Sequence, residues 1–271
     1  MKSYSASIGG IKMRWEEEGK GIPLVLIHGI PTSPALWRYV VPRISGARCL
    51  AFEMVGYGQS IPEGRRQKIG VNEQADYIVS WLNHLGIERA LFAGHDLGGG
   101  AVQIIAVRHS QRCAGLFLTN SISYDSWPIP SVKAMRIMSP VTRRLPDLIG
   151  KQVMRTLMYR GHDNRDLARE GVTIHWSNYK KEDGLVDLVR QMQALDVHDT
   201  LAISDELRHT NVPARVAWGD ADQFQKLEYG KRLAEDLGAS LCRIQGGKHF
   251  TPEDHPDIIA DEINELIRTV H

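Results

Sequence analysis

The sequence predicts an α/β fold: a mostly parallel sheet with helices on both faces and a helical insertion. Short apolar segments such as residues 24–27 alternate with amphipathic helical patterns on both sides of the insertion. This alternation is typical of parallel sheets covered on both faces. Residues 121–209 instead carry short helical patterns broken by prolines, without a convincing strand. We expect a core domain of residues 1–120 and 210–271 and a helical cap, or lid, of residues 121–209.

Each element follows from a local pattern. The first residues alternate and turn at Gly9 and Gly10, which predicts an antiparallel hairpin at the sheet edge. Further strands are predicted at residues 24–27, 48–52, 91–93, 116–119, 214–218 and 240–244. Helices are predicted at residues 34–44, 71–85, 101–105, 226–237 and 258–267. Because the cap interrupts the chain between the sixth and seventh strands, we expect it above the carboxyl ends of the sheet, where open parallel sheets bind ligands.

Composition excludes several classes of partner. The 271 residues include 33 basic and 32 acidic ones, and no basic run stands out, so neither nucleic acid nor a membrane surface is expected as a partner. The first residues contain no apolar signal segment, which favours a cytoplasmic protein. Three scattered cysteines, Cys49, Cys113 and Cys242, predict reduced core residues and no metal site. We expect a small-molecule substrate, no cofactor, and a monomer or homodimer.

The stretch GHDLG, centred on Asp96, joins an apolar strand to a helical pattern. In the pattern Gly-x-nucleophile-x-Gly, the central residue lies in a strained turn that tolerates no larger neighbours. An aspartate is already ionised at neutral pH and is suited to displacing a leaving group from saturated carbon, giving a covalent alkyl ester. The alternative is an ordinary turn with Asp96 as a helix N-cap.

Two later loops offer partners in the chain order nucleophile, acid, histidine. After the seventh predicted strand comes WGDADQ, which contains Asp220 and Asp222, and after the eighth comes GGKHF, which contains His249. Both loops lie at carboxyl ends of strands and so open onto the same edge as Asp96. His249 is then the base that activates water, and either aspartate can orient it.

A turn after the third predicted strand, HGIP, completes the pattern. The amide of Ile30, together with the amide of Leu97 at the helix N-terminus, can form an oxyanion hole for the intermediate that arises when water attacks the ester. The alternative is an ordinary turn built on Gly and Pro.

With these motifs, the chain resembles α/β-hydrolase-fold enzymes of the branch that includes epoxide hydrolases and haloalkane and haloacetate dehalogenases. The resemblance runs through HGIPTSPALWR, GHDLGGG, WGDADQF and GGKHFTPEDHPD. It implies an eight-stranded sheet, Asp96 as nucleophile, His249 as base and Asp222, in preference to Asp220, as the acid. The HGxP form of the first loop is typical of epoxide hydrolases.

At the positions that bind the leaving group, this chain differs from the pattern of each of these families. Haloalkane dehalogenases usually hold the halide with a tryptophan after the nucleophile and often an asparagine in the first loop, where this chain has Leu97 and Ile30. Haloacetate dehalogenases usually carry arginines after the nucleophile, where Leu97 and Gly100 stand. Epoxide hydrolases protonate the opening ring with cap tyrosines. The tyrosine candidates of this cap are Tyr124, Tyr159 and Tyr179.

The leading hypothesis is an epoxide hydrolase for a small apolar substrate. A haloalkane or haloacetate dehalogenase is second, with His175 and Trp176 as candidate halide donors and Trp37 as a further candidate for substrate contact. An esterase or lactonase of the same fold is third. A non-catalytic ligand-binding module is the alternative from another class, because fold does not fix function.

Overall fold

The computed structural model describes residues 1–128, 132–133 and 147–270. An eight-stranded sheet with the strand order β1-β2-β4-β3-β5-β6-β7-β8 forms its centre. The strands are β1 (Lys2–Ile8), β2 (Ile11–Gly19), β3 (Ile22–Ile27), β4 (Ala47–Glu53), β5 (Ala90–Asp96), β6 (Cys113–Ser121), β7 (Ala214–Gly219) and β8 (Ser240–Ile244). The predicted fold class and eight-stranded sheet are confirmed.

Strand β2 pairs antiparallel with β1 and with β4, and the other five neighbouring pairs in the sheet are parallel. All seven residues of β5 are buried, as expected for a central strand covered on both faces. Because β3, β5, β6, β7 and β8 run in one direction, the loops that follow them meet at one edge of the sheet.

Helices lie against the sheet and in the segment between β6 and β7. They are α1 (Val71–His84), α2 (Leu97–Arg108), α3 (Asp147–Gly161), α4 (Arg165–Lys180), α5 (Leu185–Gln193), α6 (His198–Leu201), α7 (Leu227–Asp236), α8 (Thr251–Asp254) and α9 (Pro256–Val270). Helix α2 contacts β5 and β6, and α9 contacts β6 and β7. The buried stripe of α9, which includes Ile259, Ile263 and Leu266, follows the helical period of its apolar residues.

Helices α3 to α6 lie between β6 and β7, where the sequence predicts a cap. Residues 129–131 and 134–146 of the predicted cap lie outside the described residues. We call residues 147–209 the insert. Leu157, Met192 and Leu195 of the insert line a cavity together with residues at the carboxyl ends of the strands.

The predicted helix at residues 34–44 is wrong. Two short 3₁₀ turns, Pro34–Trp37 and Val41–Arg43, take its place. Pro42 has no backbone N–H to donate within a continuous helix, and its ring collides with the preceding turn. The three cysteines are free thiols, two of them buried and Cys242 half-buried. Within the described ranges, no helix is long and apolar enough to cross a bilayer.

Candidate functional site

Asp96 lies at a sharp turn between β5 and α2. Its backbone has φ 51° and ψ −120°, a strained conformation for a residue with a side chain, which costs on the order of 1–3 kcal/mol. The turn also needs Gly98, because a Cβ there would collide with the carbonyl oxygens of Ile27 and His28. The surrounding fold thus supports a costly backbone geometry, and that geometry presents the Asp96 carboxylate at the start of a helix.

Two backbone amides face the Asp96 carboxylate, which is 5% exposed. The Ile30 amide donates to Oδ2 at 2.9 Å. Burial raises the pKa of Asp96, and His249 and the amides of Ile30 and Leu97 oppose that rise. The two loops predicted to form an oxyanion hole therefore meet at this carboxylate. Their N–H groups are placed to stabilise negative charge that develops on it.

His249 and Asp222 form a buried pair. The Nδ1 of His249 lies 2.9 Å from Asp222 Oδ2, and the exposed fractions of the two residues are 3% and 8%. Because an ionised carboxylate only accepts, Nδ1 carries the proton and Nε2 remains to accept another. The Phe224 amide donates to Asp222 Oδ1 at 2.7 Å. This geometry can orient an imidazole as a general base.

Asp220, the other aspartate of the loop, lies elsewhere. It accepts from Arg243 Nε at 2.7 Å and from the Gly246 amide at 2.8 Å. Both of its carboxylate oxygens are therefore occupied by partners other than His249.

The pKa of His249 is raised above its usual value. Burial lowers this pKa, but the carboxylates of Asp222 and Asp96 raise it more. Asp96 and His249 also line the same cavity. A charge change at Asp96 is thus felt at His249.

Asn120, at the end of β6, was not among the residues predicted from the sequence. Its Nδ2 donates to Asp222 Oδ2 at 2.7 Å, and its Oδ1 accepts from the Gly219 amide and Thr251 Oγ1 at 3.2 and 3.0 Å. The amide thus ties the ends of β6 and β7 to the His249 pair. The one feature of the sequence that marks Asn120 is its position, because the alternation of strands and helices stops there.

The cavity beside Asp96 and His249 has a volume of about 60 Å³. Its described lining is mainly apolar and includes Pro31, Trp127, Leu157, Met192, Phe224 and Phe250. Gln225 also lines it, is 3% exposed, and has no hydrogen-bond partner for Oε1. Phe224 and Gln225 follow Asp222 in the same loop. Their nearness to Asp222 in the sequence could have identified them as lining residues, but they were not predicted.

The described residues contain no group of three or more side chains that could hold a metal ion. The arrangement consists of a carboxylate between two amides, an imidazole oriented by a second carboxylate, and an apolar cavity between them. Such a set can perform nucleophilic substitution followed by hydrolysis.

Comparison with known proteins identifies the fold. A family model described as alpha/beta hydrolase fold matches residues 22–145. An α/β-hydrolase fold protein from Burkholderia ambifaria superposes with a TM-score of 0.88 and 22% identity, covering 97% of each chain. The chain has the α/β-hydrolase fold.

Two curated relatives of this chain carry more specific names. Haloalkane dehalogenase 2 of Mycobacterium tuberculosis is 28% identical over 265 residues, which span 94% of this chain and 91% of that protein. Bifunctional epoxide hydrolase 2 of Rattus norvegicus is 33% identical over 134 residues, which span 49% of this chain and 24% of that protein.

None of the three candidate tyrosines belongs to the described lining of the cavity. Tyr124 donates to Asp236 Oδ2 at 2.7 Å, and Tyr179 donates to Gln191 Oε1 at 2.6 Å. The ring of Tyr159 lies against the guanidinium of Arg155, with 5.4 Å between Cζ and the ring centroid. The structure therefore does not bring these phenols to Asp96.

The residues considered for halide binding also lie outside the lining. His175 is buried, with Nε2 3.3 Å from Glu253 Oε1 and Nδ1 3.3 Å from Ser33 Oγ. Trp176 stacks on Tyr179 with 6.0 Å between ring centroids, and Trp37 is fully buried in the core. Trp127, which belongs to the described lining, donates its Nε1 to Thr200 Oγ1 at 2.7 Å.

Proposed function

We propose that this α/β-hydrolase opens a small apolar epoxide through a covalent ester on Asp96 and hydrolyses the ester with water activated by His249. The observation that carries this proposal is the Asp96 turn, where the Ile30 amide contacts a carboxylate that shares one cavity with His249. A serine at this turn would need a base before it could attack. An ionised aspartate does not, so the histidine is left for the second step.

In the first step, a carboxylate oxygen of Asp96 attacks a ring carbon. The carbon–oxygen bond of the ring breaks, its electron pair moves to the ring oxygen, and that oxygen takes a proton from water. The cavity keeps bulk solvent away from the carbon that is attacked. The Asp96 carboxylate is therefore poorly hydrated, which makes it a better nucleophile. Ring strain drives this opening, which makes an epoxide a better fit than a substrate that needs strong leaving-group donors.

Gln225 is the side chain best placed to bind the epoxide oxygen. It lines the cavity, is buried, and has an unpartnered amide oxygen. Rotation of the terminal amide exchanges its oxygen with its NH₂ group, so the same side chain can donate. A buried polar atom without a partner is costly. In the flipped orientation, the NH₂ group would donate to the epoxide oxygen, which only accepts.

In the second step, water attacks the ester carbonyl of Asp96 and gives its proton to His249 Nε2. The amides of Ile30 and Leu97 stabilise the resulting oxyanion. Collapse of this intermediate expels the product alkoxide, which takes the proton back from His249. The Asp96 carboxylic acid then loses its proton to the hydroxide left by the first step, which restores the nucleophile. The product is a diol, and one oxygen from water stays on Asp96.

A haloalkane is the second candidate substrate. It is supported by the mainly apolar cavity and by the relative named haloalkane dehalogenase 2, which aligns along 94% of this chain. The lining offers few fixed N–H donors for a halide, because Trp127 Nε1 is occupied by Thr200. This ranks haloalkanes below epoxides.

A substrate panel with isotope labelling tests the proposal. We expect styrene oxide to give its diol, with little chloride or bromide released from simple haloalkanes. A single turnover in heavy-oxygen water should place the label on the peptide that contains Asp96. Rapid halide release without diol from any epoxide would move the assignment to the dehalogenase. An active enzyme with unlabelled Asp96 would contradict the covalent route.

A further inference from the structure

The last turn of insert helix α3 contacts the backbone of His249. The carbonyl of Gly161 accepts from the amides of His249 and Phe250 at 2.8 and 3.0 Å. Lys248 Nζ donates to the next carbonyl, that of His162, at 2.8 Å. Residue 161 must be a glycine for this approach, because a Cβ would collide with the ring of Phe250. One side of the His249 loop is therefore held by the insert and not by the sheet.

Four charged or titratable side chains lie next to this contact, and we call them the clamp: Glu253, His162, His175 and Arg38. Glu253, in α8, is 1% exposed. Its Oε2 lies 3.0 Å from His162 Nε2, its Oε1 lies 3.3 Å from His175 Nε2, and it forms an ion pair with Arg38. The clamp joins the residue that directly follows α3, and helix α4, to α8, which begins two residues after His249.

Three members of the clamp, Glu253, His162 and Arg38, are ionised at neutral pH. Burial lowers the pKa of His162, but the carboxylates of Asp254 and Glu253 raise it to about 9. Burial raises the pKa of Glu253, and its contacts with His162, His175 and Arg38 lower it well below its usual range.

Other charged groups face the clamp. Glu170 of α4 accepts from Arg38 Nε at 3.1 Å, and Asp254 Oδ1 lies 3.0 Å from His162 Nδ1. The clamp also acts on His249, because a positive His162 lowers the pKa of His249. Glu253 has three cationic or titratable partners in a buried site, so it strongly constrains their positions. Loss of one partner would leave an uncompensated buried charge.

We infer that Glu253 is a positioning residue: it holds the end of α3 against the His249 loop, so that docking of the insert and orientation of the base are coupled. The contact between the end of α3 and the His249 loop does not depend on the substrate. Its effect on catalysis rests on the proposed function. Hydrolysis of the ester needs His249 aimed at water, whereas attack by Asp96 does not. A broken clamp should therefore slow the second step more than the first.

Four variants test the clamp. Glu253→Gln and His162→Gln each remove one charge, and their combination removes both. Glu170→Gln is the matched control, because Glu170 also binds Arg38 from the insert but its side chain is 40% exposed and does not contact the His249 loop.

The first readout is hydrogen exchange of the His249 and Phe250 amides, measured by NMR. We expect each clamp variant to speed it by about tenfold or more, with β5 unchanged. The double variant should be no worse than the worse single variant, since two coupled residues are not additive. The control should match the unmodified protein.

The second readout is kinetic. In single turnover, the clamp variants should accumulate the Asp96 ester, because hydrolysis slows by about tenfold while alkylation changes little. A merely structural role would lower thermal stability and slow both steps together.

If Glu253→Gln does not fold, Gly161→Ala replaces it. This variant keeps every charge but separates α3 from Phe250, and it should give the same local rise in exchange. Unchanged exchange at His249 and Phe250 in His162→Gln and Gly161→Ala would overturn the inference, whatever the activity. Raised exchange without an ester from any substrate would instead overturn the proposed function and leave the clamp standing.

Discussion

The Nδ1 of His249 lies 2.9 Å from Asp222 Oδ2, and that carboxylate also accepts from Asn120 and the Phe224 amide. Asp222 cannot turn away from the imidazole without losing bonds to a side chain and to the backbone. The pair is buried, so water does not replace those bonds cheaply. Asp222 therefore fixes the tautomer of His249 that leaves Nε2 free to accept a proton.

Asp222→Asn should slow ester hydrolysis by about 10²–10⁴-fold, because a neutral amide removes the charge that favours the imidazolium and disturbs its tautomer. Asp220→Asn is the matched control, since Asp220 binds Arg243 and the Gly246 amide instead. Steady-state and single-turnover rates measure both. Full activity in Asp222→Asn together with loss in Asp220→Asn would show that the wrong aspartate is assigned.

His249→Gln should still alkylate but not hydrolyse. Asp96 needs no base to attack, whereas water does, so the ester should accumulate as a stable mass increase on the intact protein. Asp96→Asn should show no increase. An unmodified His249→Gln protein after incubation with a substrate that the unmodified enzyme turns over would contradict the division of labour between the two residues.

Gln225→Leu should lower the rate of Asp96 alkylation by an epoxide by about tenfold, the value of one good hydrogen bond. Leucine keeps the volume of the side chain, and the bond from Trp218 Nε1 to the Gln225 carbonyl does not involve that side chain. Gln152→Leu, on the exposed surface of the insert, is the control. Rapid mixing with product quenching measures the step. An equal loss in alkylation and hydrolysis would show that Gln225 does more than bind the substrate oxygen.

Much of the fold is readable in the sequence because its signals are local. The turn at Asp96 combines glycines with a strand before and a helix after, and the loops with Asp222 and His249 follow strands that end at the same sheet edge. Residues 34–44 show the limit of periodicity. Their apolar spacing suits one helix, but a single missing N–H at Pro42 divides the segment into two short turns.

The residues that line the cavity are harder to predict from the sequence, because they depend on hydrogen-bond partners that are distant in the chain. Tyr124 is bonded to Asp236, which is 112 positions away, and nothing in the local pattern shows that its phenol is occupied. The same holds for Tyr179 and Gln191. Tyrosine content therefore identifies candidates, whereas only the fold decides which side chains reach the cavity.

Alkylation of Asp96 should lower the pKa of His249, because it removes one of the carboxylate charges that raise it. The rate of ester hydrolysis should therefore rise with pH through an apparent pKa lower than that of His249 in the free enzyme. NMR titration of the imidazole gives the pKa of His249 in the free enzyme. Asp96→Asn should show the same lowering of this pKa without substrate. Identical pKa values in the free enzyme, the variant and the kinetic profile would contradict this coupling.

His162 should make folding stability depend on pH between about 6.5 and about 9. Its pKa is 6.5 in an unperturbed state and is raised to about 9 in the folded protein, where Asp254 and Glu253 lie against it. A raised pKa stabilises the fold fully below the unfolded value, and that contribution is lost as pH rises through the folded value. The free energy of unfolding should thus fall on going from pH 6.5 to pH 9, by on the order of 1–3 kcal/mol. Urea denaturation at several pH values should show this fall in the unmodified protein and a flatter profile in His162→Gln, and parallel profiles would mean that His162 is not charged in the fold.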